Sequence, residues 1–248
     1  MKTRPGFTLA ELLLAVIIFS FMMTSLATIY STANRNMFQN YRANIVKTNV
    51  GIAMRAIQNT LVGATRLDTP IYGASGNILA FATNVDQNTG CYPVNTDASS
   101  SRLIQGVYLS AASPPAWHYF CVAQDATTPG VTALYYHTGL IPLGPPGTGC
   151  DSATPAIWDR NGANGYPAFC GFEGGGTVTL LMQIKDNSAP VVIPPLFSRS
   201  NADNVYEKDL VLVRLRSYWS ASSRGFGKSQ RDVDFSLASA VKASIPVQ

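Results

Sequence analysis

From Phe7 to Tyr30 the chain runs for 24 residues without a glycine or a proline, and Glu11 is the only charge in the run. As a helix rising about 1.5 Å per residue, it would reach ~36 Å, enough to cross a hydrocarbon core of ~30 Å with some tilt. Whatever follows must therefore hang from a membrane-capable helix. Lys2 and Arg4 occupy the short N-terminal flank. Basic flanks stay cytoplasmic, which places the larger C-terminal part outside the cytoplasm. That part is no disordered tail, because 46% of the 248 residues are hydrophobic and only 13% are charged.

The acid in the apolar run needs a reason. A carboxylate costs up to about 3 kcal/mol at a bilayer centre, less near the edge, and is by default functional with a partner to be named. A conventional secretory signal, with Ser25-Leu26-Ala27 as its small-residue cleavage site, has no use for it. Neither has a plain signal anchor. The stretch Gly6-Phe7-Thr8-Leu9-Ala10-Glu11, followed by Leu12, Leu13, Leu14, Ala15 and Val16, resembles the type IV prepilin (class III) signal. In that family a membrane peptidase cuts on the cytoplasmic side after the glycine, methylates the new terminal amine and leaves the apolar segment on the mature protein. The resemblance implies cleavage between Gly6 and Phe7 and methylation of Phe7. It also implies that Glu11 engages the terminal amine of a neighbouring subunit and sets the axial register of a filament. The freed amine, with an ordinary pKa of about 8, is mostly cationic at neutral pH. It lies one helical turn from Glu11, and an acid in the first turn is favoured by the helix dipole. The implied partners are other pilin or pseudopilin subunits, the prepilin peptidase and an inner-membrane assembly platform.

The helical pattern continues beyond the membrane segment. Proline is absent from Ser31 to Leu67, the first glycine is Gly51, and Val46, Val50, Ala53, Ile57, Leu61 and Ala64 step by three or four. Arg42, Lys47, Arg55 and Arg66 lie off this stripe, so the second half is amphipathic where the first is apolar all round. A continuous helix from Phe7 to Arg66 would reach ~90 Å. Many major pilins interrupt this stretch with proline or glycine; this chain has neither between Phe7 and Val50. Strand-like runs follow at Ile78–Thr83, Leu103–Leu109, Trp117–Val122, Thr132–His137, Thr177–Ile184 and Leu210–Tyr218, separated by Gly, Pro, Asn and Ser clusters. The connections are too short for repeated crossover helices. The expected class is α+β, a long N-terminal helix packed on an antiparallel β-sheet head. The expected organisation is a leader at 1–6, a membrane or filament-core half-helix at 7–30, an amphipathic half-helix at 31–67 and a β-rich head at 68–248.

Within the head, Gly139 to Gly176 holds 10 of the 20 glycines and 5 of the 15 prolines, so 139–176 reads as loop rather than core. A loop that long needs a tether. Cys150 and Cys170 sit inside it, and a bridge between them would leave Cys91 and Cys121 as the other pair, although four cysteines allow three connectivities. Outside the cytoplasm such bridges persist.

Other constellations are weak. Asp159, Asn161 and Asn164 have calcium-loop-like spacing but lack the bidentate acid, so an Asx-rich turn is expected and no metal or other cofactor is assigned. Arg214, Arg216, Arg224, Lys228 and Arg231, interleaved with Tyr218, Trp219 and Phe226, suggest phosphate contacts. Asp209, Asp232 and Asp234 dilute them, and the formal net charge is only +4, so nucleic acid is not an expected partner outside a DNA-uptake pilus. His118 and His137 lie in strand-like runs with no Gly-x-Ser-x-Gly elbow and no close metal-ligand pair. The sequence therefore reads as a non-enzymatic filament subunit. A long head with an insert-like loop resembles W-type minor pilins of type IV pili and J-type pseudopilins, and a minor pilin is the expected role. The alternatives are a J-type pseudopilin of type II secretion, or a secreted or anchored binding domain with a conventional signal.

Overall fold

The computed structural model describes residues 8–92, 102–104, 107–109, 114–142, 156–186, 192, 194–200, 209–220, 231–243 and 245. One helix, α1, runs from Leu9 to Leu61, 53 residues and ~80 Å. Its lower half is exposed on every side, from Leu9 to Tyr30. Ser20, Thr24, Ser25, Thr28 and Thr32 each donate their hydroxyl to a backbone carbonyl one turn back, at 2.7 to 2.9 Å. The segment thus satisfies its own serine and threonine hydroxyls and presents a mostly hydrocarbon surface outward, as a lipid-facing helix must.

The upper half buries Val46, Val50, Ala53, Met54, Ile57 and Leu61. The helix ends earlier than the spacing of Ala64 and Arg66 suggests. After Leu61 the chain tightens: Gly63 N–H donates to Thr60 O and Ala64 N–H to Leu61 O. This three-residue turn keeps Ala64 on the buried side, so the apolar stripe outlives the helix. Arg66 and Leu67, assigned to the helix by spacing, stand in the first strand.

Eleven strands follow among the described residues: β1 (Arg66–Thr69), β2 (Ser75–Gly76), β3 (Leu79–Thr83), β4 (Arg102–Ile104), β5 (Val107–Leu109), β6 (Ala116–Gln124), β7 (Val131–Leu140), β8 (Thr177–Asp186), β9 (Phe197–Arg199), β10 (Leu210–Trp219) and β11 (Val233–Lys242). Every pairing is antiparallel. Five strands form one sheet in the order β1-β3-β6-β7-β8, and four form a second in the order β11-β10-β9-β2. The Ser217 hydroxyl donates to Gln183 O at 2.9 Å and ties β10 to β8. The expected strand Leu103–Leu109 is instead two short strands paired with each other, β4 and β5; Gly106 falls between them in the sequence.

The principal core lies under α1, where Val50, Ile57 and Leu61 meet Phe81, Phe120, Leu134, Met182, Val211 and Val213. A second cluster occupies the other face, where Trp117, Tyr92, Ile141 and Trp158 pack together. The 139–176 stretch is thus not all loop: Gly139 is part of β7 and Trp158 is only 5% exposed. A Cβ on Gly139 would lie 2.5 Å from the Trp117 indole. Gly176 has φ +81° and the same indole at its back, so glycine is required there on both counts. Replacing Ile57, fully buried, with Ala is expected to cost about 2–5 kcal/mol in chemical denaturation of the head. Replacing Ile52, 55% exposed on the opposite side of α1, should change it by less than about 0.5 kcal/mol.

Candidate functional site

The structure describes the helix start from Thr8 onward; Gly6 and Phe7 lie outside the described residues, as does the leader. Thr8 is extended (φ −76°, ψ 151°) and caps α1. Its N–H and its hydroxyl both donate to Glu11 Oε2, each at 3.0 Å. Glu11 N–H returns a bond to Thr8 Oγ1 at 3.4 Å. This reciprocal capping box satisfies donors at the helix start and aims the Glu11 carboxylate back toward the N-terminus. Thr8 is a functional residue that charge alone does not point to. The pattern Thr8-x-x-Glu11 was visible in the sequence, and it gives the acid an intrachain partner before any amine reaches it. The carboxylate stays exposed, above an apolar helix in which no other acid occurs before the head.

In the head, the 156–176 segment is clamped to the sheet face away from α1. Cys121 of β6 is bonded to Cys170, 49 residues on. Cys91 is disulfide-bonded as well, and Cys150 lies outside the described residues. The observed bridge overturns the expected pairs Cys150–Cys170 and Cys91–Cys121. Cys121 projects from the sheet face opposite the helix, where the loop folds over it, so the tether joins loop to sheet rather than loop to itself. Closure over that separation is worth about 4 kcal/mol on chain entropy.

His137 of β7, fully buried, completes the clamp. Gly171 N–H donates to its Nε2 at 3.1 Å, and its Nδ1 donates to Gly175 O at 3.1 Å. Both ring nitrogens are engaged by the neutral imidazole, and burial pushes its pKa down. Cys121, His137 and Cys170 gather within 4.8 Å, but the two sulfurs are spent on each other and the ring on backbone groups. At the other end, the Asp68 carboxylate accepts from Arg66 Nε at 3.0 Å, Arg160 Nη1 at 2.9 Å and the Tyr166 hydroxyl at 2.8 Å. That cluster pins the segment to β1, directly after the helix.

The weaker constellations resolve into local structure. Asp159 Oδ1 accepts from Asn161 N–H at 3.0 Å, an Asx turn, and Asn164 O accepts from the Trp158 indole. His118 Nδ1 lies 2.7 Å from the Tyr136 hydroxyl, between Phe81 and Tyr136 rings. Arg216 pairs with Asp234 and the Tyr218 hydroxyl donates to Asp232. The stretch is thus a mixed-charge surface, with Arg224, Phe226 and Lys228 outside the described residues. Arg42 stacks over Trp219, 4.6 Å from the ring centroid.

Comparison with known families matches residues 1–27 to the prokaryotic N-terminal methylation motif. The chain carries a type IV prepilin-like class III signal on an α+β, pilin-like architecture. The motif implies processing by a prepilin peptidase and assembly with other pilin subunits, and the long apolar helix behind it fits anchoring in the inner membrane. Comparison with curated protein sequences and with solved structures finds no match.

Burial lowers His118 from its ordinary 6.5 to about 4. The unfolded chain therefore binds a proton that the folded head refuses between those values, and stability must fall as pH drops through that window. Guanidinium midpoints of the full-length protein should be level above pH ~6.5 and decline toward pH ~4. His118→Gln should make the decline shallower, leaving the part that His137 contributes; an unchanged slope would remove His118 as a source.

Proposed function

We propose that the chain is a non-enzymatic subunit of a type IV pilus-like filament, held in the inner membrane by the lower half of α1 until it is drawn into the assembly. The observation that carries this reading is the division of a single uninterrupted helix. Its exposed, internally hydrogen-bonded half can serve only in lipid or against other apolar helices, and its buried half is a fixed part of the head core. In this reading the peptidase cuts after Gly6, the new Phe7 terminus is N-methylated, and Glu11 registers the subunit against a neighbour's amine. Addition of a subunit then neutralises two charges that apolar surroundings solvate poorly. With the fused core under α1, the head follows the shaft as a rigid body.

The clamped 156–176 segment enlarges the head beyond what a sheet on a helix requires. This supports a minor subunit that acts in filament initiation or at the tip, of the W-type pilin kind. A J-type pseudopilin of type II secretion is the same object in another machine, and co-purifying partners distinguish the two.

Intact-mass and N-terminal sequencing of protein extracted from membranes should find a chain starting at N-methylated Phe7. A start at Thr28 would establish conventional secretion instead, and an intact Met1 a plain anchor.

A further inference from the structure

β11 is the outermost strand of its sheet: β10 lies on one side and, among the described residues, no strand lies on the other. Ala243 N–H donates to Asp209 O at 3.0 Å, which fixes the hydrogen-bonded phase of the β10–β11 ladder. From there, Val241, Ser239, Leu237 and Phe235 turn their backbone groups toward β10. Asp234, Ser236, Ala238, Ala240 and Lys242 turn theirs outward. Among the described residues, the outward N–H and C=O groups of Ser236, Ala238 and Ala240 make no hydrogen bond. The opposite margin of the head is treated differently. There, Leu67 N–H donates to Gln87 Oε1 at 2.7 Å and Leu67 O accepts from Arg199 Nη1 at 3.2 Å, so β1 is blocked by side chains. An edge left uncapped, with small side chains and no proline, is a template for another strand.

The charge next to this edge selects what pairs with it. Arg214 is the register partner of Ala238, is exposed, and has no carboxylate partner among the described residues; its neighbour Arg216 is taken by Asp234. Arg214, Arg216, Ser236 and Ala238, with Pro194 and Leu196, line an open depression of about 390 Å³. A strand added at about 4.8 Å from β11 would place one side chain beside Ala238, whose methyl leaves the path to Arg214 clear. An acidic side chain with an aliphatic stem fits both the guanidinium and the apolar rim.

A second copy of this chain is a poor occupant. α1 and β11 run the same way: Arg42 lies over Trp219, opposite Val233, and Gln58 bonds Ser239 farther along both elements. Antiparallel pairing of two β11 strands would point the second helix away from the membrane holding the first. This step rests on the membrane-anchored reading above.

We propose that the outer edge of β11 accepts an extended segment of a different polypeptide, which adds a strand to the head and sets an acidic side chain against Arg214. The recognition is backbone pairing for affinity and one charge for selection.

The test uses the full-length protein in lipid nanodiscs and two short synthetic peptides of alternating Thr and Val, one with a central outward Glu and one with Lys there. The Glu peptide should bind about tenfold more tightly or better, as one charge-assisted contact allows. It should also slow amide exchange at Ser236, Ala238 and Ala240. Ala238→Pro removes an N–H that makes no hydrogen bond among the described residues and should abolish binding; Arg214→Glu should reverse the peptide preference while leaving exchange in the core unchanged. Equal binding of the two peptides, no slowing at those three amides, or self-association through β11 in place of peptide binding would overturn the proposal. Peptide binding reads the edge alone, so it stands or falls separately from processing at Gly6 and from filament formation.

Discussion

A carboxylate at the third position of a helix that is uncharged for the next six turns is the constraint around which the molecule is arranged. Glu11 sits where the helix dipole and the Thr8 cap both favour a negative charge. Those contacts keep the acid at the end of the helix and leave it pointing outward along the axis. The remainder of the lower half offers no other charge, and its serine and threonine hydroxyls are bonded back into the helix, so it lies as readily against lipid as against other apolar helices. The acid is the one group that distinguishes these surroundings, and in the proposed assembly the cation brought to it is a neighbour's chain end.

The head is built to hold that helix without interrupting it. The stripe from Val50 to Leu61 is shared with strands of both sheets, so the shaft and the head have one core. A turn of tightened backbone hands the chain directly into β1, and Asp68 in β1 is in turn the anchor for the clamped segment on the far face. Three tethers of different chemistry, the Cys121–Cys170 bond, His137 and the Asp68 cluster, fix that segment to strands that also touch the helix core. Force applied along α1 therefore reaches the whole head through covalent, packed and charged contacts rather than through a flexible linker.

Much of this was legible in the residues. The membrane-capable run, its acid and the stripe from Val46 onward all obey simple periodicities, and the strands with β-branched and aromatic residues in alternation fall where they were expected. What escaped has physical reasons. β11 reads Val-Asp-Phe-Ser-Leu-Ala-Ser-Ala-Val-Lys, and its serines and alanines carry little strand signal because it is held by β10 and by the helix rather than by its own propensity. β1, β2 and β9 are too short to show a period. The helix terminus was placed too late because a three-residue turn preserves the buried side. Disulfide pairing depends on which sheet face each cysteine occupies, and sequence distance is silent on that. Thr8 was readable from its spacing to Glu11 alone, because Thr-x-x-Glu ahead of an apolar run is the pattern of a capping box.

The capping box and the intersubunit charge make different demands on Glu11, and one substitution separates them. Glutamine at that position still closes a capping box but carries no charge. The measurement is the share of Glu11→Gln protein in sheared filaments against the share in the membrane. If a neighbour's amine is the working partner, the variant should be processed and inserted normally while its filament share falls by about tenfold or more, the scale of a lost charged hydrogen bond. A filament share equal to that of the unaltered chain would contradict the account.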